Sequence, residues 1–304
     1  MSAKRLREKY TRKFHGMDKY QRSTAWFILA SYLFQIVAAA GFGAYLLSLS
    51  LTAWTGTAVA LLMLFIGTRL RGLNNIIHEC SHATFSSERA DNAVIGKICA
   101  ALLFNSFSAY RDEHLSHHAH LGDYEHDLDL QSIEGLKLHE PLTARVVLRH
   151  ALSPLIGRHL PYYLGLNMSA QDGKAFQTLK YSVLVAAVVF TLAFPLTGLL
   201  FVILPFVLVY STLNYWADCL DHAGIVATGD DLTASRNILA PGLLRWMFFP
   251  RNDCYHLVHH LFPHIPARHL GQSHALLTED TLYASQPNAV RGARPTREVM
   301  VPAE

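Results

Sequence analysis

The sequence predicts an all-α integral membrane protein with four transmembrane helices arranged in two hairpins. Its composition is the first observation behind this prediction: 51% of the residues are hydrophobic and only 16% are charged, which is unusual for a soluble domain. The second is a set of uncharged apolar runs, each close to the length that crosses a hydrocarbon core of about 30 Å. A large soluble helical core is the alternative, but the chain has too many such runs for it.

The first predicted hairpin occupies residues 26–70 and follows a basic N-terminal segment, residues 1–25. Its apolar runs are residues 26–49 and 51–68. A turn this short and uncharged fits only at the far membrane interface, so the two runs are expected to pair. The first run is too long for a cleaved signal peptide and is expected to stay as an anchor.

The second predicted hairpin, residues 181–217, repeats this pattern. Its apolar runs are residues 181–197 and 199–216, and Pro195 and Gly198 interrupt them. Proline and glycine mark turns, so the chain is expected to reverse here.

Lysine and arginine residues predict the orientation. The segment before the first span is rich in them and the hairpin turns contain none. The basic residues are Lys4, Arg5, Arg7, Lys9, Arg12, Lys13, Lys19 and Arg22. The positive-inside rule therefore places both termini in the cytosol. We expect a multi-pass protein of the bacterial inner membrane, and we expect no nucleic-acid partner.

The remaining segments are then cytosolic: residues 71–180 and 218–276, with a polar peripheral tail at 277–304. Residues 92–107 are mostly apolar but too short to cross, which predicts an interfacial or re-entrant helix. Residues 140–166 mix arginine with aliphatic side chains and predict a helix in the headgroup layer. The whole chain is predicted to form one domain.

Eight histidines occur in three short clusters, HECSH, HLSHH and HLVHH, all on the predicted cytosolic side. They are His78, His82, His114, His117, His118, His256, His259 and His260. Helical residues three or four apart share a face, so each cluster directs imidazoles to a common point. Eight imidazoles are about twice what a tetrahedral ion needs. The pattern therefore predicts two metal ions.

Two other classes of protein share part of this pattern. HECSH matches the H-E-x-x-H motif of zinc metalloproteases, which would leave six clustered histidines unexplained. A metal carrier or haem-binding membrane protein would place ligands inside the spans, and these are nearly free of ionisable groups. A soluble carboxylate-bridged di-iron bundle needs paired Glu-x-x-His motifs, and the chain offers only Glu79 with His82.

The chemistry that fits best is oxidative, because iron binds imidazole and O₂ activation requires a metal or cofactor. The cysteines do not suggest a redox centre: Cys80, Cys99, Cys219 and Cys254 form no C-x-x-C motif and are expected to be packing residues.

Three segments together resemble the histidine boxes of the membrane fatty acid desaturase superfamily, which includes lipid hydroxylases and carotenoid ketolases and hydroxylases. They are HECSH, RDEHLSHHAHLGDYEHDLDL and NDCYHLVHHLFPHIP, and the resemblance covers residues 74–274. It implies a cytosolic helical cap that holds a histidine-rich di-iron site, with O₂ as cosubstrate. It also implies oxidation of an unactivated C–H bond in a lipid-like substrate. Fatty acyl desaturation is the first expectation and hydroxylation or ketolation the alternative.

The resemblance also assigns roles to residues. The eight box histidines become iron ligands, and His222 becomes the ninth. Asp218 or Asp221 would support the site, a choice that stays open. Supporting contacts are expected from His120, His126, Asp127 and Asp129, while His264 is expected near the site. The histidines expected at the surface are His15, His139, His150, His159, His269 and His274.

The resemblance implies an external source of electrons, because the sequence has no nucleotide-binding G-x-G-x-x-G motif and no cysteine cluster. A ferredoxin, a cytochrome or a separate reductase is expected. The basic N-terminus or the arginines of the cap are candidates to dock an acidic partner, although membrane anchoring also explains the N-terminal charge. Substrate identity and the position oxidised are not determined by the sequence.

Overall fold

The computed structural model describes residues 2–50, 52–228 and 230–289. These residues form helices and no β-strand; a single isolated bridge joins Tyr20 and Ser86. The predicted all-α fold is therefore confirmed. In chain order the helices are α1 (Ser2–Phe14), α2 (Arg22–Leu47), α3 (Ala53–Ser81), α4 (Arg89–Leu102), α5 (Phe107–His120), α6 (Leu128–Ser132), α7 (Ala144–Leu152), α8 (Leu160–Tyr163), α9 (Lys174–Ala193), α10 (Pro195–His222), α11 (Asp231–Ala234), α12 (Gly242–Phe248), α13 (His256–Leu261), α14 (Leu270–Leu277) and α15 (Thr281–Ala284).

Four helices, α2, α3, α9 and α10, are long and apolar enough to cross a membrane. They correspond to the four predicted spans. On α9, Leu192 is 75% exposed and Val185 is 59% exposed. Apolar side chains this exposed along a whole helix are stable against lipid rather than water.

The turn between α9 and α10 follows the proline and glycine signal. Pro195 begins α10 because its fixed φ suits the first turn of a helix. A Cβ at Gly198 would lie 2.6 Å from Cα of Thr191, so the tight approach of the two helices needs glycine there. The first half of α10 contains π turns at Leu199–Ile203 and Pro205–Tyr210 before a regular helix over Ser211–His222.

Helix α3 extends beyond the membrane. Its 29 residues give a length of about 44 Å, which exceeds a hydrocarbon core of about 30 Å. Its last turns therefore reach into the cap and carry His78. Helix α10 lies against α3, since a Cβ at Gly67 would come 2.3 Å from Val209. The two spans thus bring His78 and His222 to the same end of the bundle.

Neither of the two helices predicted in the middle segment forms as one continuous helix. The one expected at residues 92–107 ends at Leu102, and α5 follows at an angle of 106°. The single helix expected at residues 140–166 is wrong. It consists of α7, a 3₁₀ turn at Ser153–Ile156 and α8, because Pro154 and Pro161 lack a backbone N–H and Gly157 adopts φ +68°.

The cap has its own apolar core, which includes α1 and the C-terminal part of the described residues. Leu6 and Phe14 of α1 pack with Leu257 and Phe262 beside the third box, and the Phe14 and Phe262 rings meet edge to face at 4.9 Å. Tyr283 is also buried in this core. The prediction of a peripheral tail from residue 277 is therefore wrong for its first part, while residues 290–304 lie outside the described part of the chain.

Candidate metal centre

Nine histidines converge in two groups at the C-terminal ends of α3 and α10. Within each group the ligand atoms lie within 4.8 Å of one another. Group A is His78, His82, His114, His118 and His259. Group B is His117, His222, His256 and His260. These are the eight box histidines and His222.

Helix periodicity explains how the second and third boxes are divided between the two groups. On α5, His114 and His118 are four residues apart and face group A, while His117 faces group B. On α13 the arrangement is reversed: His256 and His260 face group B, and His259 faces group A. Both helices therefore lie between the groups and contribute to each.

The spacing within group A suits a shared ion. The Nε2 atoms of His78 and His259 are 2.8 Å apart, and those of His82 and His114 are also 2.8 Å apart. His118 Nε2 lies 3.1 Å from that of His114 and 2.9 Å from that of His259. Adjacent ligands at about 2.1 Å from one ion would lie about 3 Å apart.

Group B has similar spacing. His256 Nε2 lies 2.8 Å from Nε2 of His222 and 2.9 Å from that of His260. The Nε2 atoms of His117 and His222 are 3.3 Å apart. All four rings thus present the same nitrogen to one point.

Burial keeps most of these imidazoles neutral, which is the form that binds metal. It lowers the pKa of His82, His114, His118, His256, His259 and His260 well below the usual value. A neutral imidazole has one N–H and one lone pair. Many buried lone pairs directed at one another are unfavourable without a cation between them. The donor set therefore fits two metal ions.

The outward nitrogens of two group B histidines are held in place by hydrogen bonds. Nδ1 of His222 donates to the carbonyl oxygen of Ala234 at 3.0 Å, which leaves Nε2 as the lone-pair nitrogen. Nδ1 of His117 lies 2.8 Å from Oδ2 of buried Asp127. Burial lowers the pKa of His117, but the Asp127 hydrogen bond and nearby carboxylates outweigh it and raise the pKa. These contacts orient the two rings.

The two aspartates near His222 differ in their contacts. Oδ2 of Asp221 lies 3.6 Å from Nδ1 of His256, a group B residue. Asp218 instead accepts a hydrogen bond from the hydroxyl of Tyr163 at 2.5 Å. Asp221 is thus the one of these two aspartates that lies next to a clustered histidine. A third aspartate, Asp231, was not predicted from the sequence, and its Oδ1 lies 3.8 Å from Nδ1 of His260.

Other candidate histidines lie outside the two groups. His120 and His126 are exposed, and His126 pairs with Asp123 at 2.8 Å. The expectation that His120 and His126 support the site is not met by any contact among the described residues. His264 is exposed as well.

Three histidines expected at the surface are buried, so that part of the prediction is wrong. Each has a polar partner that allows burial. Nδ1 of His150 lies 2.7 Å from the hydroxyl of Tyr215, and Nδ1 of His274 lies 2.9 Å from that of Tyr283. Nε2 of His159 lies 2.9 Å from Oγ of Ser211.

Both ends of α13 are held by side chains that sequence analysis missed. Oδ1 of Asn237 accepts the backbone N–H of Leu257 at 3.0 Å. The Arg7 guanidinium donates to the carbonyl oxygens of His260 and Leu261, both at 3.1 Å. A helix of six residues is unstable alone, so these contacts fix the element that carries three of the clustered histidines. No local sequence signal indicates partners so distant in the chain.

Glu79, the glutamate of HECSH, forms a buried ion pair with Arg251. Both Arg251 and the next residue, Asn252, have left-handed backbones, with φ values of +65° and +59°. Such conformations are uncommon for residues other than glycine, and both side chains have polar partners: Arg251 pairs with Glu79, and Asn252 donates to the carbonyl oxygen of Ala267 at 2.9 Å. Glu79 is consequently engaged with arginine rather than poised to act as a general base.

The comparisons with known proteins agree with this geometry. The model of the family described as fatty acid desaturase matches residues 52–288. The chain belongs to the fatty acid desaturase family. Members of this family are oxidoreductases that act on lipids, so this desaturase-family protein is an oxidoreductase with a lipid substrate. Family membership also agrees with the four apolar helices and with the two histidine groups that could bind metal.

Several members of the family are similar in sequence. The dihydrorhizobitoxine desaturase of Bradyrhizobium elkanii is 28% identical over 247 residues, which cover 74% of this chain and 69% of the relative. The chloroplastic omega-3 fatty acid desaturase of Sesamum indicum is 28% identical over 221 residues, 64% of this chain and 49% of the relative. The oleoyl-12-hydroxylase of Ricinus communis is 31% identical over 103 residues, 34% of this chain and 25% of the relative. The match thus spans about half of the sesame protein.

Replacing Asp127 with asparagine tests the orientation of His117. We expect metal affinity at group B to fall by about 10–100-fold, the usual effect of losing a carboxylate behind a histidine ligand. Metal titration of the purified protein measures this. Asp123→Asn is the matched control, because Asp123 pairs with exposed His126; equal losses in both variants would contradict the assignment.

Proposed function

We propose that this protein catalyses O₂-dependent, di-iron oxidation of an unactivated C–H bond in a lipid-like substrate, with fatty acyl desaturation as the reaction. The observation that carries the proposal is the pair of all-histidine groups at the ends of two apolar helices. An apolar substrate chain in the bilayer would approach the groups along these two helices. The cytosolic location of the cap and of both termini belongs to the same proposal.

Each group would hold one iron through its Nε2 atoms, five in group A and four in group B. Iron supplies the O₂ and C–H chemistry that amino acid side chains cannot perform alone. The protein's contribution is orientation and exclusion of water. Asp127 and the carbonyl of Ala234 orient His117 and His222, while the buried position of the groups keeps bulk solvent from the reacting carbon.

Lipid hydroxylation is the second candidate, and the match to a relative named as a hydroxylase favours keeping it. Desaturation and hydroxylation need the same metal site and differ in the step after the first hydrogen is removed. A zinc metalloprotease is not favoured, because the Glu79–Arg251 pair occupies the glutamate that would serve as base.

Metal analysis and lipid mass spectrometry test the proposal together. We expect about two iron atoms per chain, because the two groups offer more imidazoles than one ion can bind. Cells that express the protein should accumulate a lipid lighter by two hydrogens, or heavier by one oxygen if hydroxylation is the reaction. One zinc per chain, no iron and unchanged lipids would contradict the proposal.

Cysteine labelling tests the proposed topology. Ser50→Cys lies in the turn after α2 and Ser132→Cys at the end of α6, and both positions are exposed. We expect a membrane-impermeant maleimide to label Ser50→Cys from the periplasmic side of intact cells and Ser132→Cys only after the membrane is opened. Labelling of both positions in intact cells would exclude the two-hairpin topology.

A further inference from the structure

The outer face of α1 is strongly basic. The exposed residues of this helix include Lys4, Arg5, Lys9, Arg12 and Lys13, against one acidic residue, Glu8. Lys9 pairs with Asp280 at 2.5 Å, and Lys4 lies 4.0 Å from Glu8. Within the described part of the chain, Arg5, Arg12 and Lys13 form no ion pair. Their charge is thus available to a partner.

The inner face of the same helix contacts the third box directly. Leu6, Tyr10 and Phe14 are buried against the cap core. Arg7 holds the carbonyl oxygens of His260 and Leu261 and pairs with Asp231, which in turn lies 3.8 Å from the His260 ring. A molecule bound on the outer face of α1 would therefore be separated from group B by one helix and its contacts.

The apolar face of α1 also argues against a role on the lipid surface. An amphipathic helix that lies on a membrane inserts its apolar face into the interface. In α1 that face is already buried in protein: Leu6 and Phe14 are each 1% exposed. The helix packs on α11, α13 and α15, none of which is a candidate span. Only the charged face remains, and it is complementary to an acidic protein.

We propose that the outer face of α1 is the docking surface for a small, acidic, one-electron carrier protein that supplies the metal centre. This inference rests on the proposed function. Desaturation takes two hydrogens from the substrate and reduces O₂ to two waters, which consumes two further electrons and two protons. Hydroxylation has the same demand and yields one water. A donor docked at α1 would deliver its electrons next to His260.

Charge reversal tests this surface in the full-length protein in nanodiscs, with an acidic two-iron two-sulfur ferredoxin as the probe. In Arg5→Glu/Arg12→Glu/Lys13→Glu we expect the ferredoxin Kd and the KM for ferredoxin to rise about tenfold or more. The kcat at saturating ferredoxin, the iron content and the turnover driven by dithionite with methyl viologen should not change. In Arg5→Gln/Arg12→Gln/Lys13→Gln, which removes the charges without reversing them, the ferredoxin Kd should rise less. Added salt should weaken ferredoxin binding by the wild-type protein.

The control is Arg89→Glu/Arg145→Glu/Lys174→Glu, which reverses the same number of exposed basic residues away from α1. Its ferredoxin Kd should match the wild type. An unchanged Kd in the α1 variant, or no salt-sensitive binding by the wild type, would overturn the proposal. A defect confined to discs of anionic lipid would assign α1 to the membrane instead. Absence of mediator-driven turnover on any lipid would count against the proposed function, while the binding result would still stand.

Discussion

Replacement of His222 by alanine should reduce turnover to background and remove at least half of the bound iron. His222 is the group B residue contributed by a membrane-spanning helix, and its Nε2 lies 2.8 Å from that of His256 and 3.3 Å from that of His117. Losing it would leave group B with three imidazoles and an open position, which changes both affinity and redox chemistry. Iron content and product formation measure the two effects.

His120→Ala is the control for this experiment. His120 belongs to the second box segment but is exposed and lies outside both groups. Its replacement should leave iron content and turnover near wild type. If His222→Ala keeps two irons and full activity, His222 is not a ligand. His82→Ala provides the complementary test, because it should remove iron from group A.

Replacement of Arg251 by methionine should produce the largest loss of stability. The side chains of Arg251 and Glu79 are only 8% and 5% exposed, so the variant would leave a buried carboxylate without its partner. The expected cost is about 3–5 kcal/mol. Thermal unfolding followed by circular dichroism in detergent should show a clearly lower midpoint.

The double variant Glu79→Leu/Arg251→Met distinguishes the cost of an unpaired buried carboxylate from the cost of losing the packing of the Arg251 side chain. Replacing both partners with apolar residues removes the uncompensated charge, so stability should return towards the wild-type value. If the double variant is as unstable as Arg251→Met, packing of the arginine over Phe85 and Tyr20 matters more than the ion pair.

Sequence patterns identified the elements that obey local rules. The four spans follow from uncharged apolar length, and the turn before α10 follows from Pro195 and Gly198. The division of the second and third boxes between the two histidine groups also agrees with helix spacing, since residues four apart share a face. Pro154, Gly157 and Pro161 indicate the break between α7 and α8. The prediction of one continuous helix over residues 140–166 gave these helix-breaking residues too little weight.

Sequence patterns could not predict the contacts between segments that are distant in the chain. The i, i+4 rule placed Asp218 on the face of His222, yet it gave no information about Tyr163, which lies across from Asp218 in the fold. The burial of His274 depends on Tyr283, a residue in a segment that its polarity marked as a tail. Arg7 and Asn237 hold α13 from positions far away in the chain, and no spacing rule links them to the boxes.

The sharing of α5 and α13 between the two groups has a thermodynamic consequence. His117 and His118 are neighbours in sequence but belong to different groups, and so are His259 and His260. An ion that orders these helices for one group also pre-positions the ligands of the other. Metal uptake should therefore be cooperative: at half-saturation, most chains should hold either two ions or none, and a chelator should empty both sites in a single transition.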